Sequence, residues 1–190
     1  EMLSGRVKTL HPLIHGGLLG VRDNDEHAAQ MTEHGIRPID LIVIDLYPFE
    51  ATIAREGVSR DEAIEQIDIG GPAMIRSAAK NHAAVTVITD PGDYDRVLED
   101  MNADGKTSVK LRQQLAAKAF QRTASYDATI ATYLDAGDEP MPRSITLSLK
   151  RDRKLRYGEN PHQDAAVYRS GLAECVKHSM LSADLHTRRA

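Results

Sequence analysis

The sequence predicts an α/β domain built around a parallel sheet. Three observations carry this reading. The runs Asp40-Leu-Ile-Val-Ile-Asp-Leu46 and Ala83-Ala-Val-Thr-Val-Ile-Thr89 are short, apolar and rich in β-formers, as buried strands are. Helical sequence lies between and after them, so strands alternate with helices over residues 1–135. From Ser108 to Leu134, Leu111, Leu115, Ala119, Phe120 and Ala124 recur at helical spacing toward a core.

The elements follow in order. The chain opens on Gly5-Arg-Val-Lys-Thr-Leu-His-Pro-Leu-Ile-His-Gly-Gly17. Gly5, Pro12, Gly16 and Gly17 predict a loop there, not a regular helix. A catalytic loop normally follows the strand that positions it, and this one starts almost at Glu1. The chain is therefore expected to begin inside a domain. Asp40–Leu46 is the first strand, with Pro48 just beyond it. Its carboxyl end carries Asp45, Leu46 and Tyr47 to the edge where open α/β sheets bind ligands. Helices are expected over 49–56 and 59–67, the second opening on the capping box Ser59-Arg-Asp-Glu62. Gly70-Gly71-Pro72 opens a helix to about Asn81, with Pro72 where a missing N–H costs nothing. Ala83–Thr89 is the second strand. Asp90-Pro-Gly-Asp-Tyr94 opens a helix to about Met101, and Asn102-Ala-Asp-Gly105 reads as a turn. After the long helix, Ala136-Gly-Asp-Glu-Pro-Met-Pro142 is a linker and Ser144-Ile-Thr-Leu-Ser-Leu149 alternates like a strand. Basic, turn-rich sequence fills 150–163.

Composition sets outer limits. A net charge of −4 and a pI near 6.1 give no general attraction to nucleic acid or anionic membrane. Six Tyr, two Phe and no Trp are too few for a base-stacking platform. Cys175 stands alone, which excludes a disulfide framework or a cysteine zinc cluster and suits a reducing cytoplasm. The apolar run Leu41-Ile-Val-Ile44 is far too short to span a bilayer.

Chemistry is concentrated in few places. Arg6 and Lys8 share a face if the segment is extended, and with Thr9 they can clamp a phosphate or a developing oxyanion. On spacing alone an ordinary solvated basic loop is the commoner explanation, because basic pairs are common. His11 and His15 have the spacing of helical metal ligands, but no acidic base lies between them. Capping and packing are their commoner roles, and no metal is expected. Asp68, at a helix start, can accept a hydrogen bond from a substrate amide, or can simply cap the helix. Arg76 and Lys80 lie on one helix face, with Ile75, Ala78 and Ala79 on another. Lys80 can transfer a proton in a cleft, or can complement the helix dipole. Tyr47, at a strand end, can relay a proton or pack as a satisfied core tyrosine.

Singly these signals are weak; their order and spelling are not. Arg6-Val-Lys-Thr-Leu-His-Pro12, Leu46-Tyr-Pro-Phe49, Ile67-Asp-Ile-Gly-Gly71 and Ala78-Ala-Lys-Asn-His82 resemble, in register, the cyclohydrolase half of one family. That family is the bifunctional enzyme joining AICAR transformylase to IMP cyclohydrolase. Gln114-Leu-Ala-Ala-Lys-Ala-Phe120 and Thr123-Ala-Ser-Tyr-Asp127 resemble its later helices. Leu155-Arg-Tyr-Gly-Glu-Asn-Pro-His-Gln163 resembles the opening motif of its transformylase domain.

The resemblance implies a methylglyoxal-synthase-like parallel sheet flanked by helices, incomplete at its N-terminus, plus a stub of a second α/β domain. The implied boundaries are cyclohydrolase 1–135, linker 136–150, start of the transformylase 151–170, and an unassigned tail 171–190. It implies closure of formylated aminoimidazole carboxamide ribotide to inosinate with loss of water. Formyl transfer from 10-formyltetrahydrofolate is the companion activity of the full-length enzyme. Cyclisation itself needs no metal or cofactor. By motif, Lys80, Lys8, Tyr47 and Asp68 are the catalytic candidates. Arg6, Val7, Thr9, Ile44, Asp45 and Ile69 are the nucleotide-contacting candidates, and Arg156 and Tyr157 those of the transformylase. The implied partners are the purine nucleotide and, in the full-length enzyme, a second copy as homodimer. No nucleic acid or membrane is implied, and the location is cytoplasmic. Two departures stand out. Asp45 replaces the family's Asn, exchanging an amide that donates and accepts for a carboxylate that only accepts. The family's Ser/Asp/Lys phosphate motif and Ser-Thr-Gly-Gly-Thr loop are missing. The competing expectation is therefore a nucleotide-binding or inactive remnant without turnover.

Overall fold

The computed structural model describes residues 7–135, 144–170 and 185–188. The chain divides into two compact units, residues 1–48 with 59–124, and residues 49–58 with 125–190.

The first unit corrects the expected loop at once. Residues Pro12–Leu19 form helix α1. Pro12 sits in its first turn, and His11 Nδ1 accepts the Leu13 N–H at 3.2 Å, so the motif caps its own helix. The glycines serve close approach instead of a turn. A Cβ on Gly17 would stand 2.5 Å from the Arg37 carbonyl oxygen, and one on Gly16 would stand 2.9 Å from Ile36 Cδ1. Helix α2 (Asp25–Glu33) follows, capped by Asn24, whose side chain accepts the His27 N–H at 3.0 Å. Arg22 then ties α1 to the sheet. Its guanidinium donates to the carbonyls of Gly20, Gly17 and Ile39 at 2.9, 3.1 and 3.0 Å.

Strands β1 (Leu41–Val43) and β2 (Thr86–Ile88) pair in parallel, Leu41 opposite Thr86 and Val43 opposite Ile88. Parallel strands need a long crossover. Here it contains α3 (Phe49–Ile53), α4 (Arg60–Glu65) and α5 (Gly70–Lys80). The Ser59–Glu62 capping box forms as expected, with Ser59 Oγ accepting the Glu62 N–H and the Glu62 carboxylate accepting the Ser59 N–H. On α5, Ile75, Ala78 and Ala79 are buried as the pattern requires, alongside Val85 and Val87.

Asp90 opens a short 3-10 turn at Pro91–Asp93, then α6 (Tyr94–Asp104). That helix consumes most of the expected turn and stops at Gly105, whose φ of 70° is the left-handed ending that glycine permits. Helix α7 (Val109–Leu134) packs Leu111 and Leu115 against Ile88, Val97 and Met101. Full burial of such a side chain contributes roughly 1.5–3 kcal/mol. Ala119 is buried as expected, but Phe120 and Ala124 are exposed, so the apolar stripe is narrower than its sequence suggests.

In the second unit Phe49 is fully buried and meets Tyr126 and Tyr133 edge-on, with centroids 6.3 and 5.5 Å away. Strands β3 (Leu149–Lys154), β4 (Ala165–Ser170) and β5 (Leu185–Arg188) form an antiparallel sheet in that order. The strand expected at 144–149 therefore lies later in the chain. Ile145 and Leu147 are exposed, and pairing with β4 runs instead through the charged residues after Leu149. The linker expected at 136–142 lies outside the described residues.

Candidate active site

The start of α5 gathers the loop residues. Asp68 lies just before the helix, and its carboxylate joins two segments. One oxygen accepts the Gly71 N–H at 2.8 Å, and the other accepts the Tyr47 N–H at 3.4 Å. Asp68 thus caps the helix and also fixes the chain leaving β1. Gly70 and Gly71 are small because neighbours occupy the space a side chain would need. A Cβ on Gly70 would fall 2.0 Å from Thr9 Oγ1, and one on Gly71 would fall 2.4 Å from Asp68 Oδ2 and 3.0 Å from Leu46 Cδ2. Three sequence-distant segments, at Thr9, at Leu46–Tyr47 and at Asp68–Gly71, therefore converge at the carboxyl end of β1. This is the ligand-binding edge of an open parallel sheet.

The side chains left outward there are mixed in character. The Tyr47 ring is 55% exposed and Ile69 is 60% exposed, so both are presented to solvent rather than to the core. Lys8 and Asp45 are exposed, and Val7 and Ile44 are half-buried. The Ile44 N–H donates to the Ile88 carbonyl at 3.0 Å, which holds the strand end in register. Arg6 lies outside the described residues.

Lys80 stands elsewhere. It is the last residue of α5, while Asp68 precedes the first. Ten rises of about 1.5 Å separate the first and last residues of this eleven-residue helix by roughly 15 Å. The structure brings together Thr9, Tyr47 and Asp68, and Lys80 lies at the opposite end of α5. Lys80 lines a cleft of about 630 Å3 with Arg76 and Phe120. Neighbouring Asn81 is structural. Its buried amide donates to the carbonyls of Leu18 and Gly20 at 2.7 and 3.1 Å, which joins the ends of α1 and α5.

His11 and His15 have the packing and capping roles weighed for them. His15 Nδ1 lies 3.0 Å from Ser77 Oγ, whose own proton goes to the Ala73 carbonyl, so the imidazole is the donor. This Ser77 contact was not legible in the sequence, because it joins residues 62 positions apart. In the second unit Arg156 and Tyr157 are exposed on the connection between β3 and β4.

A family model for the AICARFT/IMPCHase bienzyme matches residues 78–187, more than half of the chain. The chain belongs to this bienzyme family. A model of the MGS-like domain matches residues 1–73, which contain β1 and the helices from α1 to α4. Among relatives, the bifunctional purine biosynthesis protein PurH of Magnetococcus marinus is 59% identical over 174 residues, covering 88% of this chain and 33% of that protein. PurH of Bacillus subtilis is 54% identical over 185 residues, covering 97% of this chain and 36% of that protein. The chain spans about a third of the length of these relatives. The crystal structure of ForH superposes with a TM-score of 0.64 at 37% identity, covering 73% of this chain and 71% of that one. As a bienzyme-family member with an MGS-like fold, the chain places its glycine-bounded Asp68 loop where such sheets bind ligands.

Proposed function

We propose that this chain carries the IMP cyclohydrolase chemistry of de novo purine synthesis. The observation that carries the reading is the convergence of Thr9, Tyr47 and Asp68 on Gly70-Gly71 at the β1 edge. In the reaction, the carboxamide nitrogen of the formylated ribotide attacks the formyl carbon. The carboxamide nitrogen and the formamide nitrogen each lose a proton, and the formyl oxygen leaves with both as water. Nucleophile and electrophile belong to one molecule, so proximity is largely supplied by the substrate. The protein must hold the rotamer and move protons. Asp68 orients the carboxamide, Lys8 and Thr9 bind the nucleotide, and Lys8 and Tyr47 support the formyl oxygen. Arg6, Val7, Ile44, Asp45 and Ile69 complete the nucleotide contacts.

Lys80 serves as the proton donor or acceptor in this reading. It lies at the far end of α5 from Asp68, and in this reading it serves the substrate held by a second copy in the homodimer that the family resemblance implies. Arg156 and Tyr157 belong to the companion formyl transfer from 10-formyltetrahydrofolate, which requires the longer protein. A cytoplasmic location fits this pathway. No described helix is long and apolar enough to cross a membrane.

The test follows ring closure by ultraviolet absorbance, in the chain and in a version extended to the length of its relatives. The extended form cyclises, and Lys80→Ala lowers its rate at least about 100-fold, the lower range for a positioned acid or base. Near-normal turnover by folded Lys80→Ala protein removes Lys80 from the chemistry. Inosinate binding without turnover in the extended form favours a binding remnant instead.

A further inference from the structure

The second unit concentrates positive charge on one strand. Within six residues β3 carries Lys150, Arg151, Arg153 and Lys154 against a single acid, Asp152. The chain as a whole has a net charge of −4. All four cations are exposed. Pairing with β4 sets their directions. Lys150 stands opposite Arg169 and Arg153 opposite Val167, so Lys150, Arg153 and Arg169 share one face of the sheet. Arg151, opposite Tyr168, and Lys154, opposite Ala166, share the other. The register shifts between Arg151 and Arg153, and Asp152 occupies that irregularity. Its carboxylate is already shared, 2.7 Å from the Arg153 guanidinium and 3.4 Å from that of Arg169. Among the described residues, Lys150, Arg151 and Lys154 have no carboxylate partner. Lys150 directly faces Arg169, and like charges so placed repel.

Strand β3 is also an edge. The sheet order is β3, β4, β5, so among the described residues the outer side of β3 meets no strand. Such an edge presents a row of backbone N–H and C=O groups to an extended chain. Charge decides which chain suits it. A second β3 brings the same cations and is repelled, a usual protection of exposed edges. An acidic strand is attracted on both faces. Nucleic acid can use the charge but not the alternating backbone donors and acceptors, and β3 has no aromatic side chain on which to stack a base.

We propose that the β3 edge is a docking site for an acidic, extended polypeptide segment that joins the sheet as a further strand. Its backbone pairs with β3. Its carboxylates meet Lys150 and Arg153 on one face and Arg151 and Lys154 on the other. Because the cations lie on both faces, the segment carries consecutive acids rather than an alternating pattern. Exposed ion pairs are individually weak, so the backbone ladder supplies the register and much of the hold. The inference is independent of cyclisation, since it lies in the second unit and uses neither Arg156 nor Tyr157.

The test adds a fluorescein-labelled octapeptide, Glu-Glu-Thr-Glu-Glu-Thr-Glu-Glu, to the 15N-labelled chain. Anisotropy measures the affinity, and amide shifts with hydrogen exchange locate the contact. The peptide is expected to move the amides of 149–154 and to slow exchange at alternate positions of β3. Its affinity should fall at least about tenfold between about 50 and 300 mM salt, as screening grows. Pro in place of both Thr keeps every carboxylate but removes N–H groups on both edges of the peptide, and should weaken binding at least about tenfold. Arg151→Gln with Lys154→Gln should weaken the unmodified peptide at least about tenfold, with the amide spectrum of the rest of the sheet unchanged. Equal binding of the Pro peptide overturns the proposal, because charge alone then suffices. So does wild-type affinity in the double variant, a uridine oligonucleotide of equal charge that binds as tightly, or no binding of the peptide.

Discussion

Replacing Gly70 by Ala tests whether the Thr9 loop is seated on the start of α5. The added Cβ would lie 2.0 Å from Thr9 Oγ1, against the 3.0 Å that real contacts keep. Thr9 must then turn to another rotamer or its loop must withdraw. Overpacking of this kind costs roughly 1–3 kcal/mol. Ala in place of Gly in a helix returns up to about 1 kcal/mol. With that full return, the expected net loss for Gly70→Ala is about 0–2 kcal/mol. Thr9→Ala removes the offending oxygen and leaves a Cβ–Cβ approach of 3.4 Å, which is ordinary contact. In that background Gly70→Ala should be neutral or slightly stabilising. Urea unfolding of wild type, both single variants and the double variant measures the coupling. About 1–2 kcal/mol of non-additivity is expected, within the range for touching residues. Additivity within about 0.5 kcal/mol would mean that Thr9 does not rest on Gly70, and the convergence argument would lose its first segment.

Three further outcomes are expected. Asn81→Ala should destabilise by about 1–3 kcal/mol, because it strands the buried Leu18 carbonyl and leaves that of Gly20 only its Arg22 donor; an unchanged melting temperature would show that water replaces the amide. Asp90→Asn addresses pH. Hydrogen bonding from Lys118 first, then from the Gly92 N–H, holds Asp90 below the usual carboxylate range. A lowered folded-state pKa contributes stability that is present above the unfolded value of about 3.9 and is lost as pH falls through the folded value. The pair is half exposed, so the gap between wild type and variant should stay below about 1 kcal/mol at neutral pH. It should close below about pH 4, and a gap equally wide at about pH 2 contradicts the assignment. Asp45→Asn should tighten inosinate binding in calorimetry, since Asp45 is exposed at the β1 edge and a carboxylate repels a phosphate; equal or weaker binding would turn Asp45 away from the ligand.

Much of this architecture was legible where local chemistry determines it. The two strand cores, the Ser59 capping box and the Gly70-Gly71-Pro72 helix start all rest on neighbouring residues. Errors arose where distant contacts decide. Gly16 and Gly17 read as loop formers, yet they lie inside α1 because Ile36 and the Arg37 carbonyl occupy the space beside them. Helix α2 buries none of its residues, so no apolar stripe announced it, although Asn24-Asp25-Glu26 is a helix-start signal. Alternation in Ser144–Leu149 suggested a half-buried strand, but Ile145 and Leu147 are exposed and β3 begins only at Leu149.

The site was legible as a set of residues but not as a geometry. Motif order nominated Thr9, Tyr47 and Asp68, and Gly70-Gly71 explains why they can meet. The same order nominated Lys80, and the helix expected from Gly70 to about Asn81 already put it at the far end of that helix from Asp68. That separation follows from helix rise alone once Gly70–Lys80 is known to be continuous.

The most direct measurement of the central claim mixes two disabled variants of the extended protein, Lys80→Ala and Asp68→Asn. Each alone should cyclise at least about 100-fold more slowly than wild type. If Lys80 serves the site of a second copy, random exchange makes half of the dimers mixed, and each mixed dimer holds one intact site. About a quarter of wild-type ring closure should then return on mixing. Two inactive variants that stay inactive after subunit exchange, with exchange itself verified, would contradict a site shared between copies.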